Sequence, residues 1–126
     1  MMTYLLALLL CSGPTSKQFP NGLNPGQELF SLKLEKAGRL TACFSGSKPA
    51  NEVLVLEGFV VLRAGQKGKW RINHPVFSRE GNASFSDRCL EMENTEEPLA
   101  VGQVVSIESR RRTTGPVSLT VRWEIR

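Results

Sequence analysis

Three consecutive arginines, Arg110, Arg111 and Arg112, stand in the stretch SRRRTTG. Adjacent guanidinium groups can grip carboxylates or phosphates in bidentate fashion, so this is the strongest candidate for recognising an acidic partner or lipid headgroups. Four carboxylates, Glu91, Glu93, Glu96 and Glu97, crowd LEMENTEEP. Such a density could furnish an acid and base pair or oxygen ligands for a hard cation. Glu91 and Glu93 alternate with Leu90 and Met92, however, as the solvent face of a strand does. The single histidine, His74, precedes Pro75, which favours an extended or turn conformation and places the ring poorly for a catalytic triad. Phosphate-loop, HExxH, GxSxG and EF-hand patterns are all absent, and NAS at 82–84 is a glycosylation sequon only in a suitable eukaryotic compartment. With one histidine and no CxxC spacing, a cysteine-rich zinc site has no support. The expectation is a binding protein with no catalytic residues, metal or cofactor.

Cysteine occurs at positions 11, 43 and 89. Cys11 closes an uncharged N-terminus in which Tyr4 to Leu10 are all apolar. Seven apolar residues fall far short of the roughly 20 that span a bilayer as a helix, but they reach the lower end of a secretory h-region. LALLLCSGP resembles the lipobox of bacterial lipoproteins, in which the cysteine is diacylated on sulfur and becomes the first residue after cleavage. That resemblance implies a signal peptide at 1–10 and a lipidated Cys11, and Ser12 in place of Asp is similar to outer-membrane sorting. Leu10 stands where lipoboxes carry a small residue, and no Lys or Arg precedes the run. The alternative is a buried N-terminal strand or helix ending at Cys11. If Cys11 carries lipid, Cys43 and Cys89 remain as an even pair, as one disulfide in an oxidising compartment requires. Two buried cytosolic thiols are the alternative there.

The chain around these residues has 126 positions, a net charge of +4 and 40% hydrophobic residues. That suits one domain with a genuine core, while 11 Gly and 7 Pro imply many turns. The modest positive charge, with aromatics confined to strand-like patterns, argues against nucleic-acid binding. Residues 12–26, SGPTSKQFPNGLNPG, read as a tether with a root-mean-square reach of roughly 20 Å. Residues 27–126 read as β-structure. In VSLTVRWEI, Val117, Leu119, Val121, Trp123 and Ile125 share one face. QVVSIES (103–109) is a second strand, and RRRTTGP between them predicts a C-terminal hairpin with the arginines at its tip. Further strands are expected at 29–35, 40–45, 69–72 and 84–92, and 52–63 is expected as two short strands or one bulged strand, with Gly58 as the interruption. The sum is an all-β, antiparallel β-sandwich of about seven to eight short strands, Ig-like in general architecture.

GRLTACFSGSKPANEVLVLEG, then KWRI, then DRCLEM, then a terminal alternating hairpin, together with the lipobox-like cysteine and the Pro-rich spacer after it, resemble a family of small enterobacterial periplasmic lipoproteins assigned to type VI secretion immunity. The shared motifs are Cys43-Phe44 and Cys89-Leu90. The resemblance implies an all-β periplasmic domain, held at a membrane by lipid, that binds an effector toxin and neutralises it without catalysis. The candidate contacts are then Arg110 to Arg112 and the Glu91 to Glu97 segment. A structural envelope lipoprotein, or an accessory subunit of a secretion or pilus assembly, is the competing expectation.

Overall fold

A computed structural model of the chain describes residues 13–61, 67–69, 71–72, 76–77, 84–93 and 99–126. They form ten strands: β1 (Thr15–Phe19), β2 (Glu28–Lys33), β3 (Leu40–Ser47), β4 (Leu54–Val61), β5 (Lys67–Lys69), β6 (Arg71–Ile72), β7 (Val76–Phe77), β8 (Ser84–Glu93), β9 (Val104–Ser109) and β10 (Val117–Ile125). Seven of these have five residues or more. One sheet runs in the order β1-β10-β3-β8-β6 and the other β2-β9-β4-β5, with β7 paired to β4. Every pairing is antiparallel. The chain is an all-β antiparallel sandwich.

Period-two alternation explains which faces meet. Val117, Leu119 and Val121 of β10, Leu40, Ala42 and Phe44 of β3, and Leu54, Leu56 and Val60 of β4 are all buried in one cluster. Hydrophobic burial on that scale is the main stabilising term, worth roughly 1.5–3 kcal/mol for each large aliphatic side chain. In β4, Gly58 does not interrupt anything. The strand runs straight through, with Leu56 to Val61 pairing in unbroken register to Ser109 to Val104 of β9. Gly58 lies opposite Ile107, so a residue without a side chain faces a large one, and no bulge is needed.

Two expectations are corrected by the pairing. The stretch 12–26 is no loose tether from Thr15 onward, because Thr15 to Phe19 pair with Val121 to Val117 and Leu23 is 1% exposed. The strand TSKQF lacks an apolar stripe because it is an edge. Its order comes from the ladder, from Ser16 Oγ against Thr120 Oγ1 at 2.7 Å, and from Lys17 Nζ held 5.4 Å from the Phe30 ring centroid. Secondly, β9 and β10 are not a hairpin. They belong to different sheets, so residues 110–116 cross from one layer to the other. The disulfide lies within one sheet. Cys43 and Cys89 are bonded and stand directly opposite each other on neighbouring strands of one sheet. Their face is the outer one: Ala42 and Phe44 point to the core, so Cys43 points away from it, and Cys89 is exposed. Trp70, in KWRI, lies outside the described residues.

The bond closes a loop of sequence separation 46, for which loop-closure entropy gives about 4 kcal/mol. Replacing both cysteines by alanine is expected to lower the unfolding free energy by about 2–4 kcal/mol. Urea denaturation of the double variant beside the oxidised parent measures this, and equal midpoints would contradict it.

Candidate functional site

The sheet-to-sheet crossover that carries the arginines is fixed at several points. Leu23 and Thr113 exchange backbone hydrogen bonds of 3.1 and 3.0 Å, and the Leu23 amide also donates to Thr113 Oγ1 at 2.9 Å. This approach requires glycine at position 22. Gly22 has φ +83°, and a Cβ there would lie 2.1 Å from the Thr113 carbonyl oxygen. On the β9 side, the Arg110 amide donates to the Val55 carbonyl at 2.9 Å, and Ser109 Oγ donates to the Arg111 carbonyl at 2.7 Å.

Glu52, in the loop between β3 and β4, anchors the other half. Its Oε1 accepts from the Thr114 amide at 2.7 Å and from Thr114 Oγ1 at 2.9 Å, and its Oε2 accepts from the Gly115 amide at 2.9 Å. The Gly115 and Thr114 amides, the Thr114 hydroxyl and the charge of Lys48 hold the Glu52 carboxyl below the ordinary glutamate value, against an opposing effect of desolvation. Lys48 is itself 4% exposed, with Nζ donating to the carbonyls of Pro49 at 3.0 Å and Glu52 at 2.8 Å. A cation beneath the loop and a carboxylate across it thus brace the segment from below and from the side.

Within this frame the three arginines separate. Arg110 Nη1 pairs with Glu57 Oε2 at 2.6 Å. Glu57 stands opposite Glu108, which stands opposite Glu28, so three carboxylates lie abreast on the outer face of the second sheet. Like charges directly opposite one another destabilise a sheet, and Arg110 offsets that repulsion. Arg111 and Arg112 are exposed, and neither is in an ion pair with another described residue. They are displayed on a braced loop, which lowers the entropic cost of engaging an acidic surface.

The other candidate contacts, in the Glu91 to Glu97 segment, lie elsewhere where they are described. Glu91 is exposed on β8 opposite Thr41, and Glu93 pairs with Arg71 in the β6–β8 register. In the strand ladders, Thr41 lies by Glu124 near the end of β10, whereas the arginines precede the start of β10. The Arg110–Arg112 loop and Glu91 and Glu93 therefore sit at opposite ends of the sandwich. Glu96, Glu97, His74 and Cys11 lie outside the described residues. Among those described, no group of three His, Cys, Asp or Glu side chains could hold a metal ion. Sequence reasoning did not single out Glu52, Lys48 or Glu57. Glu57 has a signal in its outward phase within β4, but nothing local in KPANE marks the reach of Glu52 to residues 114 and 115.

No family model matches the chain, and no curated protein matches it. Among solved structures it is similar to the crystal structure of SPBc2 prophage-derived protein YomS, with 12% identity and a TM-score of 0.45, covering 89% of this chain and 96% of that one. A likeness at that TM-score bears on neither fold nor function.

The depressed Glu52 value gives a pH signature. Stabilisation by its carboxylate is present above the unfolded-state pKa, near 4.3 for an ordinary glutamate, and is lost as pH falls through the lower folded-state value. Glu52→Gln is therefore expected to melt below the parent at pH 7, with the gap closing as pH drops below about 4. Thermal unfolding of both proteins across that range checks it; a gap that is constant with pH would contradict the assignment.

Proposed function

We propose that this chain is a lipid-anchored envelope protein that works by binding another protein, and that its partner is a secreted effector toxin which it neutralises. The disulfide carries most of this reading. A staple on the outer face of a sheet, with Cys43 covered but Cys89 open to solvent, persists where thiols stay oxidised, as in the bacterial periplasm, and not in a reducing cytosol. The odd cysteine, Cys11, then becomes the acylated one, with residues 1–10 as its signal peptide and the inner leaflet of the outer membrane as its address.

Binding rather than turnover fits the braced arginine loop. Charges at an interface rim speed encounter with a partner of opposite sign, and buried apolar contacts slow release. Arg111 and Arg112 are the side chains assigned the first task. Arg110 is engaged with Glu57, and its role is to hold the loop against the sheet. Glu91 and Glu93, at the far end, belong to a separate surface.

Two measurements test the reading. Intact mass of the mature protein, with and without reductant, is expected to show acyl chains on an N-terminal Cys11 and a two-proton increase on reduction. A full-length, unacylated and reduced chain would remove the proposal. In cells making a periplasmic toxin encoded beside this protein, co-expression is expected to restore growth, and the Arg111→Glu, Arg112→Glu double variant to weaken complex formation about tenfold or more. Rescue by a variant with undiminished association would take the interface away from this loop.

A further inference from the structure

At the end of the sandwich opposite the arginines, β1 stops short of its neighbour. β1 begins at Thr15, which pairs with Val121, while β10 continues to Ile125. Trp123 and Ile125 are consequently only half buried, although they continue the core-facing row of Val117, Leu119 and Val121. Beside them lies a cavity of about 470 Å³ lined by Gly13, Trp123, Ile125 and residues 32–36, at the end of β2 and just past it. Its volume is within the range of about 300–1,000 Å³ typical of small-molecule sites. Leu32, Leu34, Trp123 and Ile125 make its interior apolar, and Lys33, Glu35 and Lys36 form its rim.

Gly13 is the first residue described, and it is part of the wall. Directly opposed residues of an antiparallel pair put their side chains on the same face of the sheet. Two odd positions of β1 follow this rule: Phe19 packs against the core, and Lys17 reaches the Phe30 ring. Gly13, two residues before Thr15, lines the cavity together with Trp123 and Ile125, and Cys11 stands two positions before it in the sequence. We infer that the groove is the seat of an acyl chain carried by Cys11 of this same chain. This inference rests on the proposal that Cys11 is acylated, and adds where the lipid goes.

The chemistry of the groove suits that occupant. An acyl chain buries apolar surface against Leu32, Leu34, Trp123 and Ile125, at about 0.8 kcal/mol per methylene removed from water. Exposed Lys33 and Lys36 at the rim lie where the anionic headgroups around the anchor would be, and their ammonium groups can stay in that polar layer while their stems cover apolar surface. Only three residues separate Cys11 from Thr15, the first residue of β1, so the four chain steps reach at most about 14 Å. The anchor therefore cannot stray far from the groove.

Photocrosslinking tests the seat. Cells producing the full-length chain are fed a fatty acid with a terminal diazirine, the acylated protein is purified and irradiated, and crosslinks are mapped by mass spectrometry. Crosslinks from the Cys11 lipid to residues 32–36, Trp123 or Ile125 are expected. They are expected to fall about tenfold or more in Ile125→Asp and in Leu32→Glu, each of which sets a carboxylate that resists desolvation in the groove. Circular dichroism identifies any variant that fails to fold, and the other is then the informative one. Acylated protein whose crosslinks go only to bulk lipid or to other surfaces overturns the seat while leaving the anchor intact. Protein with no acyl mass at Cys11 removes the anchor and the seat together.

Discussion

Two packed sheets lie about 10 Å apart, and the chain must change layers between β9 and β10 without leaving polar backbone buried and unpaired. That requirement shapes the whole arginine end of the molecule. The crossing segment cannot join either ladder, so its amides and carbonyls are satisfied piecemeal by the Leu23–Thr113 exchange, by Ser109 Oγ, by Val55 and by the Glu52 carboxylate. Every nearby oddity serves it. Gly22 has φ +83° because Thr113 is too close for a Cβ, and Lys48 is nearly enclosed because its ammonium ties down the loop from which Glu52 reaches out. A surface display is thereby built from the solution to a connectivity problem.

Much of this sandwich can be read from alternation. VSLTVRWEI declares its buried face, and β2, β3, β8 and β9 lie close to where patterning puts them. Central strands announce themselves because both their neighbours and the opposing layer demand apolar residues. An edge strand need satisfy only one neighbour, which is why TSKQF, ordered by backbone pairing and one cation over a ring, has a composition indistinguishable from that of a loop.

Contacts between layers were not legible, and for a physical reason. Seven residues ending in Gly115 and Pro116 can close a hairpin or cross to the other sheet, and nothing local chooses. The choice comes from which partners bury β9 and β10 best. Nor does the sequence say how the two sets of candidate contacts lie relative to each other; the registers put Arg110–Arg112 and Glu91 and Glu93 at opposite ends. Parity of cysteines named the bonded pair, but which face of a sheet it staples depends on the phase of Cys43 relative to Phe44, fixed only once Phe44 is known to be in the core.

The incorporation of Thr15 to Phe19 into a ladder changes the mechanics of the N-terminus. Tension along the axis of β1 loads its five residue pairs with β10 together, in shear, whereas a pull across the strand would part them one at a time. Force applied at this end is transmitted straight into the strand next to β3, the strand joined covalently to β8. The body of the protein would then respond to a tug at its N-terminus as one stiff object rather than as a bead on a string.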